Sequence, residues 1–135
     1  MQFAVSRHGL PSARALRRWA GAARAGLSRL TLRVVGLAEG RRLNRTFRNK
    51  DRATNVLSFP YGPRQGDIVL CHPVIAREAR AQRKALAAHY AHLVIHGMLH
   101  LRGHDHAKRR QARRMERAEI RILRRLGFAD PYALE

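Results

Sequence analysis

Residues 96–106, "HGMLHLRGHDH", hold four histidines and one aspartate in eleven positions. His96 and His100 are four apart, the spacing that stacks two side chains on one face of a helix. After two intervening residues stands Gly103, suited to the left-handed residue that closes a helix, and after two more comes His106. A helix would then supply two imidazoles, the glycine would turn the chain, and the returning segment would bring in a third. That is a set of three protein ligands with an open coordination position. Imidazole donors suit zinc, although ligand type alone leaves nickel, copper and iron open. His104 and Asp105 lie in the same loop and are alternative third ligands, and Asp105 is also a candidate to orient a ligating imidazole.

The stripe extends upstream through His92 and His89, so more than one pair at i, i+4 could bind metal. His89 and His72 are read as satisfied core or surface residues. The spacing H-x-x-x-H-x-x-G-x-x-H is shared with the metzincin proteases, in which a glutamate follows the first histidine and takes the proton from the attacking water. Gly97 stands at that position and cannot do so, which weakens a peptidase reading.

The elements that must position these residues follow from periodicity and punctuation. "QFAVS" (2–6) alternates like a strand. Ser12 can cap a helix running to about Gly26, with Leu16, Trp19, Ala20, Ala23 and Leu27 on its apolar side. A strand is predicted over 29–36, a short helix over 38–48, a strand over 54–60 stopping at Pro60, and a β-branched strand over 66–71 beside it. The connection "YGPRQ" is short and turn-rich. A helix over 73–84 precedes the histidine helix from Leu86 to Arg102. A last helix, from about Lys108 to Leu126, has Met115, Ile122, Leu123 and Leu126 as its core side and ends at Gly127. This order predicts an α+β fold, a small mixed sheet packed with helices, in one domain spanning 1–135.

Composition narrows the partners. The chain has 135 residues and a net charge of +19, with 28 Lys+Arg against 9 Asp+Glu. Such an excess points to a polyanion, RNA or DNA, ahead of a membrane surface. Arginines outnumber lysines by 25 to 3, which a nucleotide bias of the source genome would also produce. The single cysteine, Cys71, excludes an intrachain disulfide and fits a reducing cytoplasm, where it reads as a buried small hydrophobe. No apolar run approaches the length of a membrane span, and the N-terminus reads as strand and helix rather than a targeting segment. Asn44 heads a glycosylation sequon by pattern only.

The chain resembles the YbeY family of bacterial single-strand endoribonucleases. The family signature H-G-x-L-H-L-x-G-x-D-H matches "HGMLHLRGHDH" at every specified position. "LNRTFRNKDRATNVLSFP" (43–60), "GDIVLC" (66–71) and "LGFADPY" (126–132) match three further blocks. The resemblance implies a zincin-like α+β fold, one zinc ion held by His96, His100 and His106, and an important arginine at Arg48. It also implies a cytoplasmic role in 16S rRNA 3′-end maturation and late 70S ribosome quality control. The implied partners are single-stranded RNA, ribosomal particles and ribosomal or assembly-factor proteins, with no membrane. Two features depart from the family. "YGPRQ" is shorter than is common there, and where many relatives are acidic after the histidine motif this chain reads "AKRRQARRMERAE".

Read from the residue upward, Arg48 offers a permanent, forked donor suited to a phosphate oxygen, or else it is one surface cation among many. Asn55 and Ser58 could line the same cleft or serve as ladder and turn residues. The general base stays open among His104, a metal-bound hydroxide and the ribose 2′-hydroxyl. The competing function is a non-catalytic ribosome-assembly factor that binds rRNA and protein, with its zinc structural.

Overall fold

A computed structural model describes residues 1–133. Its sheet has the strand order β1-β2-β4-β3, with β1 (Gln2–Phe3), β2 (Arg29–Val35), β3 (Val56–Gly62) and β4 (Gln65–Cys71). β1 and β2 are parallel, β2 and β4 are parallel, and β3 closes the edge as the antiparallel partner of β4. The helices are α1 (Ala13–Ala22), α2 (Leu37–Arg48), α3 (His72–Ala81), α4 (Leu86–Leu101) and α5 (Arg109–Arg125). This is the α+β fold with a mixed sheet that the sequence predicts.

Alternation along the strands divides the apolar residues between two faces. Leu32, Val34, Ile68 and Leu70 enter the larger core with residues of α1, α4 and α5, while Val35, Leu57, Val69 and Cys71 form a smaller core with Val74 and partly buried Leu43. Helix α4 is apolar nearly all round, and ten of its residues are buried. It therefore lies between the sheet and the flanking helices rather than on the surface. Cys71 is buried, as a small hydrophobe would be.

Several boundaries differ from the sequence reading. β1 pairs only over Gln2–Phe3, because the chain bends away at Ala4–Val5, after which the Ser6 hydroxyl accepts the His8 N–H. Ser12 caps α1 through the Ala15 N–H, but the helix ends at Ala22 rather than near Gly26. The following turn is held by the Arg24 Nε bond to the Leu27 carbonyl (2.9 Å), and it still buries Ala23 and Leu27. β3 runs past Pro60 to Gly62, since an edge strand can carry a proline on its unpaired side. α3 stops at Ala81, two residues before Arg83 takes a left-handed conformation (φ +54°). Asn44 is buried and its amide donates to the Arg52 carbonyl at 2.8 Å, so it is a structural residue of α2 and not an accessible sequon.

Candidate functional site

Helix α4 carries His96 and His100 one turn apart, and Gly103 (φ +94°) reverses the chain directly after it. The His104 N–H reaches back to the Leu99 carbonyl at 2.9 Å, satisfying one of the carbonyls left open at the helix end. The loop then returns His106 to the other two. Ring centroids are 4.7 Å apart for His96–His100, 5.0 Å for His100–His106 and 5.8 Å for His96–His106. One nitrogen from each ring lies within 4.8 Å of the others.

Glu119 supports this cluster from behind. It comes from α5, is fully buried, and its Oε2 lies 2.8 Å from His96 Nδ1 and 3.3 Å from His92 Nε2. The Tyr132 hydroxyl donates to its other oxygen. Burial alone would raise the carboxyl, but hydrogen bonds from His92, His96 and Tyr132 outweigh it and bring the group down to about 2. An ionised carboxylate only accepts, so Nδ1 of His96 carries the proton and Nε2 is left for a metal. His92, His96 and Glu119 form a second trio close enough to hold an ion. Its members are already bonded to one another and to Tyr132, so it reads as the support of the first trio. His100 is held below the ordinary imidazole range by burial and by the neighbouring His96 and His106, which favours the neutral, ligating form. Donor type, spacing and the oriented tautomer together fit a zinc ion.

The trio opens into a cleft of about 430 Å³ whose other wall is β3 and the chain leading into it, from Thr54 to Ser58 and Pro60, with Arg48. Arg48 is the last residue of α2, and its Nη2 donates to the Ser58 carbonyl at 2.6 Å while the guanidinium lies 5.1 Å from the Phe59 ring centre. Asn55 and Ser58 both line the cleft and both are structurally committed. Asn55 Nδ2 donates to Glu78, and the Ser58 hydroxyl donates to the Gly97 carbonyl at 3.1 Å. Gly97 is where a protease would carry its glutamate, but an added Cβ would lie 3.1 Å from Ser58 Oγ and 3.2 Å from two carbons of Ile68. The position faces the sheet, so a longer side chain there would disrupt packing before it reached the cleft.

Of the alternatives, His106 joins His96 and His100, while His104 does not line the cleft. Asp105 does not orient an imidazole. Its carboxylate accepts the backbone N–H groups of His106 (2.7 Å) and Ala107 (3.2 Å) and so shapes the loop that presents His106. His89 is buried with its Nε2 3.0 Å from Glu78 Oε1 and its Nδ1 left without a partner, and His72 Nδ1 bonds the Tyr90 hydroxyl, so both are structural residues that do not line the cleft. Sequence reasoning misses Glu119 and Tyr132. The available signal was that Met115, Glu119 and Leu123 stand four apart, which puts a carboxylate inside the buried row of an arginine-rich helix.

The fold and cleft define an α+β protein with a histidine cluster able to hold a metal. The family model described as endoribonuclease YbeY matches residues 14–127, and the chain belongs to that family. It is 53% identical to endoribonuclease YbeY of Bordetella avium, over 99% of this chain and 92% of that one. It is 49% identical to the Nitrosomonas eutropha protein of the same name, over 100% and 98%. The solution structure of TM1509 from Thermotoga maritima is similar in fold, with a TM-score of 0.53 at 22% identity over 98% of each chain.

Proposed function

We propose that this protein is a zinc-dependent endoribonuclease that cuts single-stranded RNA, acting in the cytoplasm in 16S rRNA 3′-end maturation and late 70S ribosome quality control. Family membership supports the coarser part of that reading, an endoribonuclease acting on the phosphodiester bonds of RNA. The observation that carries the metal dependence is three imidazole nitrogens within 4.8 Å of one another, opening on a cleft that Arg48 also lines, while the ribosomal role rests on the family resemblance. His96, His100 and His106 would hold the zinc, which supplies Lewis acidity toward a phosphoryl oxygen and toward water.

The chain's own groups do the remaining work. Glu119 keeps the His96 proton on Nδ1. The Ser58 carbonyl occupies one N–H of Arg48 and fixes the guanidinium on the cleft wall, leaving further N–H groups for the negative charge that grows on the scissile phosphate. Among the described residues no helix is long and apolar enough to cross a membrane. The test is to incubate metal-analysed protein with single-stranded and structured RNA, with and without a chelator. Chelator-sensitive cleavage of the single-stranded RNA is expected. RNA binding without cleavage by fully loaded protein would instead favour an assembly factor with a structural zinc.

A further inference from the structure

Helix α5 carries eight arginines in 17 residues, and all eight are exposed. At 3.6 residues per turn they fall in an arc of about 160°, opposite the buried row that includes Met115, Glu119 and Leu123. From Arg109 to Arg125 the row is about 24 Å long, at 1.5 Å per residue. Glu116 is the one exposed acidic residue on the helix. Among the described residues the arginine ion pairs use Arg33, Arg41 and Arg45, and none uses an arginine of α5.

Helix stability does not account for this pattern. Arg109 and Arg110 sit in the first turn, where the helix dipole disfavours cations and no acidic residue offsets them. Arg109–Arg113, Arg113–Arg117, Arg117–Arg121 and Arg121–Arg125 are like-charge pairs at i, i+4, each of which works against the helix. A genome bias would exchange lysine for arginine, but it would not strip the face of acids. The surface is built for a polyanion. A membrane is disfavoured because the apolar side of α5 is spent in the core, with Met115 and Leu123 each 1% exposed, which leaves the partly exposed Ile120 alone to insert beside the cations. No aromatic residue lies on α5 to stack on unpaired bases, so the arc is suited to phosphates rather than bases. Paired RNA shows it phosphates and hides its bases. The row begins three residues after His106, so its first turn lies near the rim of the cleft.

We propose that the outer face of α5 is a docking rail for double-stranded RNA flanking the single strand cut in the cleft. The proposal rests on the endoribonuclease reading of that cleft. Two variants with the same loss of charge test it: Arg113→Ala, Arg117→Ala and Arg121→Ala together on α5, and Arg14→Ala, Arg17→Ala and Arg18→Ala together on the exposed side of α1. Alanine is the strongest helix former, so both should fold, which melting curves and zinc content check.

Each protein is titrated with a blunt RNA duplex lacking single-stranded tails, from about 50 to about 200 mM salt, where counterion release dominates affinity. The α5 variant should bind the duplex at least about tenfold more weakly at the low-salt end. Its log–log salt slope should be shallower by about 0.9 for each phosphate it no longer neutralises. The α1 variant should stay close to wild type, and all three proteins should cut a short single-stranded oligonucleotide at rates within about twofold of one another. Equal losses in the two variants would mean that net charge alone binds RNA and would overturn the rail. So would a loss confined to vesicles of phosphatidylglycerol and phosphatidylcholine, with duplex binding unchanged. Failure of the wild type to cut the oligonucleotide would sink the nuclease reading, while the duplex titrations would still decide the rail.

Discussion

At His96 the two ring nitrogens have different tasks, since Nδ1 donates to Glu119 and Nε2 is left for a metal. The division depends on a residue 23 positions away in sequence, which is why the histidine cluster was legible from spacing and its support was not. A histidine pair four apart encodes its own geometry, whereas Glu119 and Tyr132 acquire meaning only when α5 and the C-terminal segment pack on α4. Glu119→Gln keeps the shape but removes the charge that fixes the tautomer. Loss of such a partner typically costs about 10–100-fold in metal affinity, and competition with a chromophoric chelator would measure it. His106→Ala should lose most of its zinc by elemental analysis, while His89→Ala should keep it. Full zinc in His106→Ala would exclude it as third ligand. Arg48→Ala should slow single-turnover RNA cleavage by about 10²–10³ with zinc content and melting temperature unchanged, the cost typical of losing one preorganised donor. Lysine should rescue poorly, because it keeps the charge and loses the fork.

At the scale of elements, the cleft is the gap between α4 and the edge strand β3, and Gly97 sets how closely they approach. Its missing Cβ admits Ser58 and Ile68, and its carbonyl receives the Ser58 hydroxyl, whose own backbone carbonyl holds Arg48. A single close approach thus ties the histidine helix to the arginine. Gly97→Ala gains about 1 kcal/mol of helix propensity. It also forces a methyl against a fully buried Ile68, and overpacking of this kind costs about 1–3 kcal/mol. The expected balance is a melting temperature lowered by a few degrees and a larger fall in cleavage than in zinc content; a rise in both would refute the close-packing account. The type and order of the helices were legible because their apolar stripes and glycine stops are local signals. Element ends were less so: the extension of β3 past Pro60 depends on its being an edge strand, and the early end of α1 on Arg24 binding the Leu27 carbonyl.

For the molecule as a whole, the charge of +19 acts in opposite directions on folding and on binding. With few acids to offset them, the cations repel one another in the compact state, and the repulsion is screened over about 10 Å at 0.1 M salt. The free protein should therefore melt at a higher temperature as sodium chloride rises from low to physiological concentration. RNA affinity should fall steeply over the same range, because each neutralised phosphate releases a counterion and salt opposes that release. Exposed ion pairs such as Arg41–Asp51 weaken with salt and oppose the first trend, but they are few beside the unpaired arginines. Melting curves and RNA titrations on one salt series test both signs. A melting temperature that falls with salt would mean that attractive pairs outweigh the repulsion. An RNA affinity that stays flat would leave the arginines as a product of genome composition.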